Sequence, residues 1–247
     1  NLDNPSLDPF WKTAERLQVP LIIHPLNPLG IERLSKYFLT HIVGLLADTT
    51  VGVACLYYGG VLDRFPDLKI ILCHGGGFLP YHFGRMTRGP EIQPEIQKHT
   101  SLMGRDVLRW FYYDTIVFEP DVLEFLVAEV GADHVLLGSD CPFGIGDLKP
   151  LAIIAKIRID QADKDKILGG AIVGIVCILQ RVDHPPLGQS RADHGVRRCV
   201  GTVLQPLAGE LPDPHLGQLL YVDVILPRGF LSHRATTLPN LRTGSPH

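Results

Sequence analysis

The chain has 247 residues, 45% hydrophobic and 20% charged, proportions that suit a soluble globular fold with a full core. Its 23 basic and 26 acidic residues give a net charge of −3, which excludes the basic footprint needed for nucleic acid or an anionic bilayer and leaves a small molecule as the expected partner. The five cysteines (Cys55, Cys73, Cys141, Cys177, Cys199) form no C-x-x-C pair, so a reduced, cytoplasmic protein is expected and a disulfide framework is not.

The first 168 residues alternate helix and strand patterns. Ser6 is expected to cap a helix from Leu7 to about Gln18, with Phe10, Trp11, Ala14 and Leu17 at helical spacing. Pro20 ends it, and Leu21–Ile23 is a wholly apolar run that suits a strand covered on both faces. A second helix is predicted from Asp48 or Thr49 to about Phe65, stopped by Pro66, and Lys69–Cys73 is the next buried strand. A short helix over Pro80–Met86 follows, then a polar stretch to Gly104. Trp110–Tyr113 and His134–Leu137 read as further strands around a helix over Asp121–Val130, and helices near Leu148–Ile159 and Ala162–Leu168 close this part. Repeated strand–helix units with doubly buried strands predict an α/β fold with a parallel sheet, either a barrel or a doubly wound sheet.

Each predicted strand is followed by a residue able to do chemistry: His24, His74, Asp114 and Asp140. In a barrel those strand ends meet at one mouth, which favours the barrel. His24 suits a neutral imidazole metal ligand or, equally, a core histidine satisfied by backbone. His74 precedes Gly75-Gly76-Gly77, a tight turn that leaves an imidazole uncovered for acid–base work, although such turns also occur for purely structural reasons. Asp140, in a Gly/Ser/Pro turn, suits a metal ligand or a loop organiser; for Asp114 the structural role weighs more. Arg85 fits a carboxylate-binding arginine or a solvated one.

Several longer segments then carry a family resemblance. Leu21-Ile-Ile-His24-Pro, Gly59-Gly-Val-Leu-Asp-Arg-Phe-Pro66, Leu68-Lys-Ile-Ile-Leu-Cys-His74-Gly-Gly-Gly, Tyr113-Asp-Thr115 and Leu136-Leu-Gly-Ser-Asp140-Cys-Pro-Phe143 resemble the amidohydrolase-related family, in its group of aminocarboxymuconate-semialdehyde decarboxylases. The resemblance implies a metal-dependent (β/α)8 TIM barrel with one divalent ion, zinc first and manganese second, acting on a small carboxylic acid. It implies His24 and Asp140 as metal ligands, His74 as the residue that handles the proton, and Phe143 as a pocket residue. Arg85 matches an arginine that reaches a neighbouring subunit's substrate, which implies a homodimer. His41 stands where the decarboxylase carries a pocket tryptophan, and so leaves the substrate open.

Two further ligands are expected from a His-x-His or Glu-x-His pair on a first strand, and residues 1–247 contain neither. With no initiator Met, the chain is expected to correspond to about strands five to eight, the C-terminal portion, over residues 1–170. Half a barrel would leave two open sheet edges and an uncovered interior. Residues 171–247 hold no Lys, one Glu and two aromatics, and are expected to be a non-family tail, disordered or translated out of frame, with a candidate strand near Leu219–Leu226. The longest apolar run, Gly169–Leu179, is too short to span a bilayer. The first functional reading is a non-oxidative decarboxylase. The second is a hydrolase or hydratase on the same scaffold, and the third a fragment or binding module without metal.

Overall fold

Four short parallel strands carry the fold, and their side-chain alternation explains both of its faces. The computed structural model describes residues 1–170, apart from Asn27, Leu29 and Pro142, together with a strand at Tyr221–Val224. The strands are β1 (Leu21–His24), β2 (Ile70–Leu72), β3 (Phe111–Asp114) and β4 (Val135–Leu136). They lie in the order β4-β3-β2-β1, each pair parallel, with Ile22 opposite Ile71, Ile71 opposite Tyr112 and Asp114 opposite Leu136. Successive side chains on a strand point to opposite faces. Leu21, Ile23, Ile70, Leu72, Phe111, Tyr113 and Val135 accordingly join the main core, whereas Ile22, Ile71, Cys73 and Leu136 form a second cluster on the other face. Both faces are therefore apolar, as a helix-covered parallel sheet requires.

The helices are α1 (Asp8–Leu17), α2 (Leu45–Tyr58), α3 (Val61–Arg64), α4 (Leu79–Ile92), α5 (Pro120–Val130), α6 (Leu151–Lys156) and α7 (Gln161–Asp165). They supply Trp11, Val53, Leu56, Tyr57, Val61, Leu79, Phe83, Leu123, Leu126, Val130 and Ile154 to the main core. At about 1.5–3 kcal/mol for each large apolar side chain fully buried, this cluster is the principal stabilising contribution.

The predicted elements are all found, with shifted ends. Ser6 does not cap the first helix. A 3-10 turn at Pro5–Leu7 precedes α1, and the Asn4 carboxamide oxygen accepts the Ser6 N–H at 3.0 Å. The second helix begins earlier than expected, because a wide turn at Thr40–Gly44 runs straight into α2. It also stops earlier: Gly60, at φ 68°, breaks the chain before α3. The third helix is longer than Pro80–Met86, running from Leu79 to Ile92. Together Thr40–Tyr58 is a 19-residue helical stretch of mean hydropathy 1.3, which by length and composition alone would cross a bilayer. Its Val53, Leu56 and Tyr57 lie in the core, but only 28% of the stretch is buried and Ile42 and Val43 are exposed.

A further strand, β5 (Tyr221–Val224), pairs antiparallel with β1, placing Leu21 opposite Val224 and His24 opposite Tyr221. The β1 edge is thus occupied, contrary to the expectation of two open edges, and the exchange satisfies backbone groups that would otherwise face solvent. The rest of the expectation for residues 171–247 lies outside the described residues.

Candidate metal centre

His24 closes β1, two residues after Ile22, so the alternation that sends Ile22 to the inner face sends the imidazole there too. His74 lies two residues beyond β2, and Asp140 four residues beyond β4. Parallel strands bring these ends together. One ligand atom from each of His24, His74 and Asp140 lies within 4.8 Å of the others. Both histidine Nε2 atoms stand 3.5 Å from Asp140 Oδ1, and the three side chains are 5–9% exposed. The imidazoles meet edge to face, with centroids 5.0 Å apart.

At 3.5 Å these approaches are longer than an ordinary N–H···O hydrogen bond, so the trio is gathered but not closed. Both ring nitrogens of His24 and Nδ1 of His74 are buried without a hydrogen-bond partner. Leaving such groups unmatched costs about 1–3 kcal/mol each. Two imidazoles and a carboxylate with unspent lone pairs form the donor set that a divalent ion of the zinc or manganese type takes. The residues present therefore fit such an ion.

The backbone is strained at two of the three converging residues. His74 (φ 58°) and Asp140 (φ 53°) both occupy the left-handed region, uncommon for residues other than glycine and a mark of over-determined functional geometry. His74 opens a run in which Gly75, Gly76 and Gly77 also have positive φ. A Cβ on Gly77 would strike the Leu46 carbonyl oxygen, and one on Gly76 the Tyr113 ring.

Charge follows from the geometry. Burial disfavours the charged form of His74, but the approach of the Asp140 carboxylate and the Asp114 charge outweigh it and raise its pKa above 6.5. Burial likewise opposes ionisation of Asp140, yet the two histidines win and bring its pKa down to about 2. Burial pushes the Asp114 carboxyl up, against His74 and backbone N–H groups that lower it. Beside the trio, Asp114, Cys73, Ile71 and Ser139 border a cavity of about 20 Å³, room for about one water.

Of the other expected site residues, Phe143 joins the cluster, its ring stacked on His24 at 5.2 Å and 13°. His41 lies on the Thr40–Gly44 turn, stacked on Phe38 at 4.0 Å, and is not among the converging ligands. Arg85 is exposed on α4, outside the cluster. The sequence reading underweighted Thr115, which is 2% exposed and hydrogen-bonded to Gly138. Its place directly after a strand-end aspartate was the available signal.

Parallel strands whose C-terminal ends present this ligand cluster match a family of known enzymes: the amidohydrolase family model matches residues 1–172, and the chain belongs to that family. It is 35% identical over 172 residues to the 2-amino-3-carboxymuconate-6-semialdehyde decarboxylase of Dictyostelium discoideum, covering 69% of this chain and 48% of that protein. It is 31% identical over 168 residues to the gamma-resorcylate decarboxylase of Polaromonas, covering 64% and 51%. Among solved structures, the 2,6-dihydroxybenzoate decarboxylase from Rhizobium superposes with a TM-score of 0.60 at 29% identity, over 67% of this chain and 53% of that one. A Polaromonas dihydroxybenzoic acid decarboxylase with bound manganese superposes with a TM-score of 0.57 at 28% identity, over 67% and 52%. The chain spans about half the length of the curated relatives it matches.

Proposed function

We propose that the chain supplies one side of the active site of a metal-dependent, non-oxidative decarboxylase of an aromatic or muconate-type carboxylic acid. The observation that carries the proposal is the buried trio His24, His74 and Asp140, gathered within 4.8 Å at the ends of parallel strands with unpartnered imidazole nitrogens. The decarboxylases among its relatives, acting on substrates of two kinds, support it. In this reading β1–β4 correspond to strands five to eight of a (β/α)8 barrel, residues 1–170 form the family domain and residues 171–247 lie outside it.

His24 and Asp140 would hold the ion, zinc in our reading and manganese as the alternative. When bound, such an ion supplies Lewis acidity toward a substrate oxygen. The remaining steps fall to the chain's own groups. Phe143, stacked on His24, offers an apolar face to a planar acid. His74, whose proton affinity the neighbouring Asp140 and Asp114 carboxylates raise, is read as delivering a proton to the carbon bearing the carboxylate. That carbon gains a C–H bond. The bond to the carboxylate then breaks, its electron pair restores the conjugation lost on protonation, and CO2 departs, so no oxidant is needed. Burial of the trio keeps bulk water from competing for the proton.

Arg85, exposed on α4, is read as reaching the substrate of a second copy, making the working unit a homodimer. His41 is read as a further substrate contact. Among the described residues, Cys55, Cys73 and Cys141 form no disulfide, which suits a cytoplasmic setting.

The test is a panel of dihydroxybenzoates and carboxymuconate-type acids incubated with zinc- or manganese-loaded protein, with CO2 release and product mass measured together. Release of CO2 with loss of 44 mass units, about one CO2 per turnover, is expected from this chemistry. Addition of water without CO2 would replace it with the hydratase reading. Failure to retain either metal would favour a module without metal.

A further inference from the structure

Two residues at the end of β3 tie together the loops that carry His74 and Asp140. Asp114 Oδ1 accepts the Gly75 N–H at 2.8 Å and the Ile116 N–H at 3.0 Å, clamping the turn directly after His74. Thr115, 2% exposed, faces the opposite neighbour: its Oγ1 accepts the Gly138 N–H at 3.1 Å and approaches the Gly138 carbonyl at 3.4 Å. Gly138 lies two residues before Asp140, and a Cβ there would meet Asp114 Cβ at 2.9 Å, so the loop is seated directly on the Asp114 stem. β3 lies between β2 and β4, and Asp114 ends it with Thr115 directly beyond, so the dipeptide is flanked by both loops. Each gripped loop holds a residue in the left-handed region, His74 on one side and Asp140 on the other. That conformation persists only where surrounding contacts over-determine it.

We propose that Asp114 and Thr115 are positioning residues with divided tasks: Asp114 fixes the His74 imidazole and Thr115 fixes the Asp140 carboxylate. Neither touches the reacting atoms. The proposal rests on the roles of His74 and Asp140 given above, but the geometry it predicts is measurable without turnover.

The experiment uses the full chain and four variants: Asp114→Asn, Asp114→Ala, Thr115→Ser and Thr115→Val. Histidine-labelled protein, free of metal, is compared by imidazole NMR; Zn2+ affinity is measured by competition with a chelator; kcat and KM are measured with whichever acid the panel identifies. Asp114→Ala is expected to move the His74 resonances and lower kcat at least tenfold, with KM and Zn2+ affinity within about threefold of wild type. Thr115→Val is expected to weaken Zn2+ binding about 10–100-fold, the usual effect of removing a group that orients a ligand. Asp114→Asn, which keeps the acceptor oxygen, and Thr115→Ser, which keeps the hydroxyl, are expected to restore each property.

A merely structural role would lower stability without this division between imidazole and ion. Wild-type His74 resonances in Asp114→Ala, or equal Zn2+ affinity in Thr115→Val and Thr115→Ser, would overturn the proposal. Should Asp114→Ala not fold, Asp114→Ser, whose hydroxyl ends one atom short of the carboxylate oxygens, is read in its place. If wild type turns over no acid, the decarboxylase reading fails, and the NMR and Zn2+ measurements still decide this one.

Discussion

Replacing Asp140 with Asn removes the carboxylate between two imidazoles while keeping its shape. In the metal-free fold its pKa stands at about 2 in place of the ordinary 3.8. Each tenfold change in proton affinity is worth about 1.4 kcal/mol, so this depression contributes roughly 2 kcal/mol of stability. Because the folded value is depressed, the contribution is present above pH 3.8 and disappears as pH falls through about 2. His74 moves the other way. Its folded pKa lies above 6.5, so its share of the same attraction is complete below pH 6.5 and is lost as pH rises through the folded value. The difference in unfolding free energy between wild type and Asp140→Asn should therefore be widest, about 2 kcal/mol, between roughly pH 4 and 6.5, and should shrink on both sides. Urea unfolding of chelator-treated protein across that range measures it directly. A difference that stays constant with pH, or that is absent at about pH 5, would refute the electrostatic account of the trio.

Trp11 is fully buried beside Phe10, so Trp11→Ala should cost about 3–5 kcal/mol in urea unfolding; a cost below about 1 would mean that the core closes over the gap. Gly77→Ala places a Cβ against the Leu46 carbonyl at φ 64° and should destabilise the fold by about 1–3 kcal/mol, read as a lowered Tm. His24→Ala should weaken Zn2+ binding more than about tenfold in chelator competition, since an imidazole ligand is lost outright, and unchanged affinity would remove His24 from the ligand set. His74→Gln should reduce decarboxylation about 10²–10⁴-fold with the metal retained, as loss of a general acid does.

The parallel sheet was legible because doubly buried strands are apolar throughout: Leu21–Ile23 and Ile70–Cys73 admit few other readings. The polar residues that follow them stand out for the same reason, and His24, His74 and Asp140 do converge. Helix ends were less legible. Thr40–Gly44 has no capping residue to announce it, and its exposed Ile42 and Val43 do not follow the periodicity of a buried face. At the first helix the expected cap, Ser6, lies inside the 3-10 turn that Asn4 caps, and α1 itself opens after Leu7 with no side-chain cap. His41 and Arg85 were expected from the family resemblance, and neither is among the converging ligands. Which side chains share a cluster depends on long-range packing that no local pattern encodes. The grip of Thr115 on Gly138 crosses 23 residues and was invisible for the same reason.

The turn from His74 to Gly77 also bears on how such a site changes over time. Its four successive positive φ angles, with ring or backbone already filling the space where a side chain would go at Gly76 and Gly77, leave almost no room for tolerated mutation. The loops after β1 and β4 carry no such run of glycines. Substitutions should therefore be tolerated more readily around Phe143 than in the turn from His74 to Gly77. That turn would then pass unchanged between relatives whose surrounding loops differ.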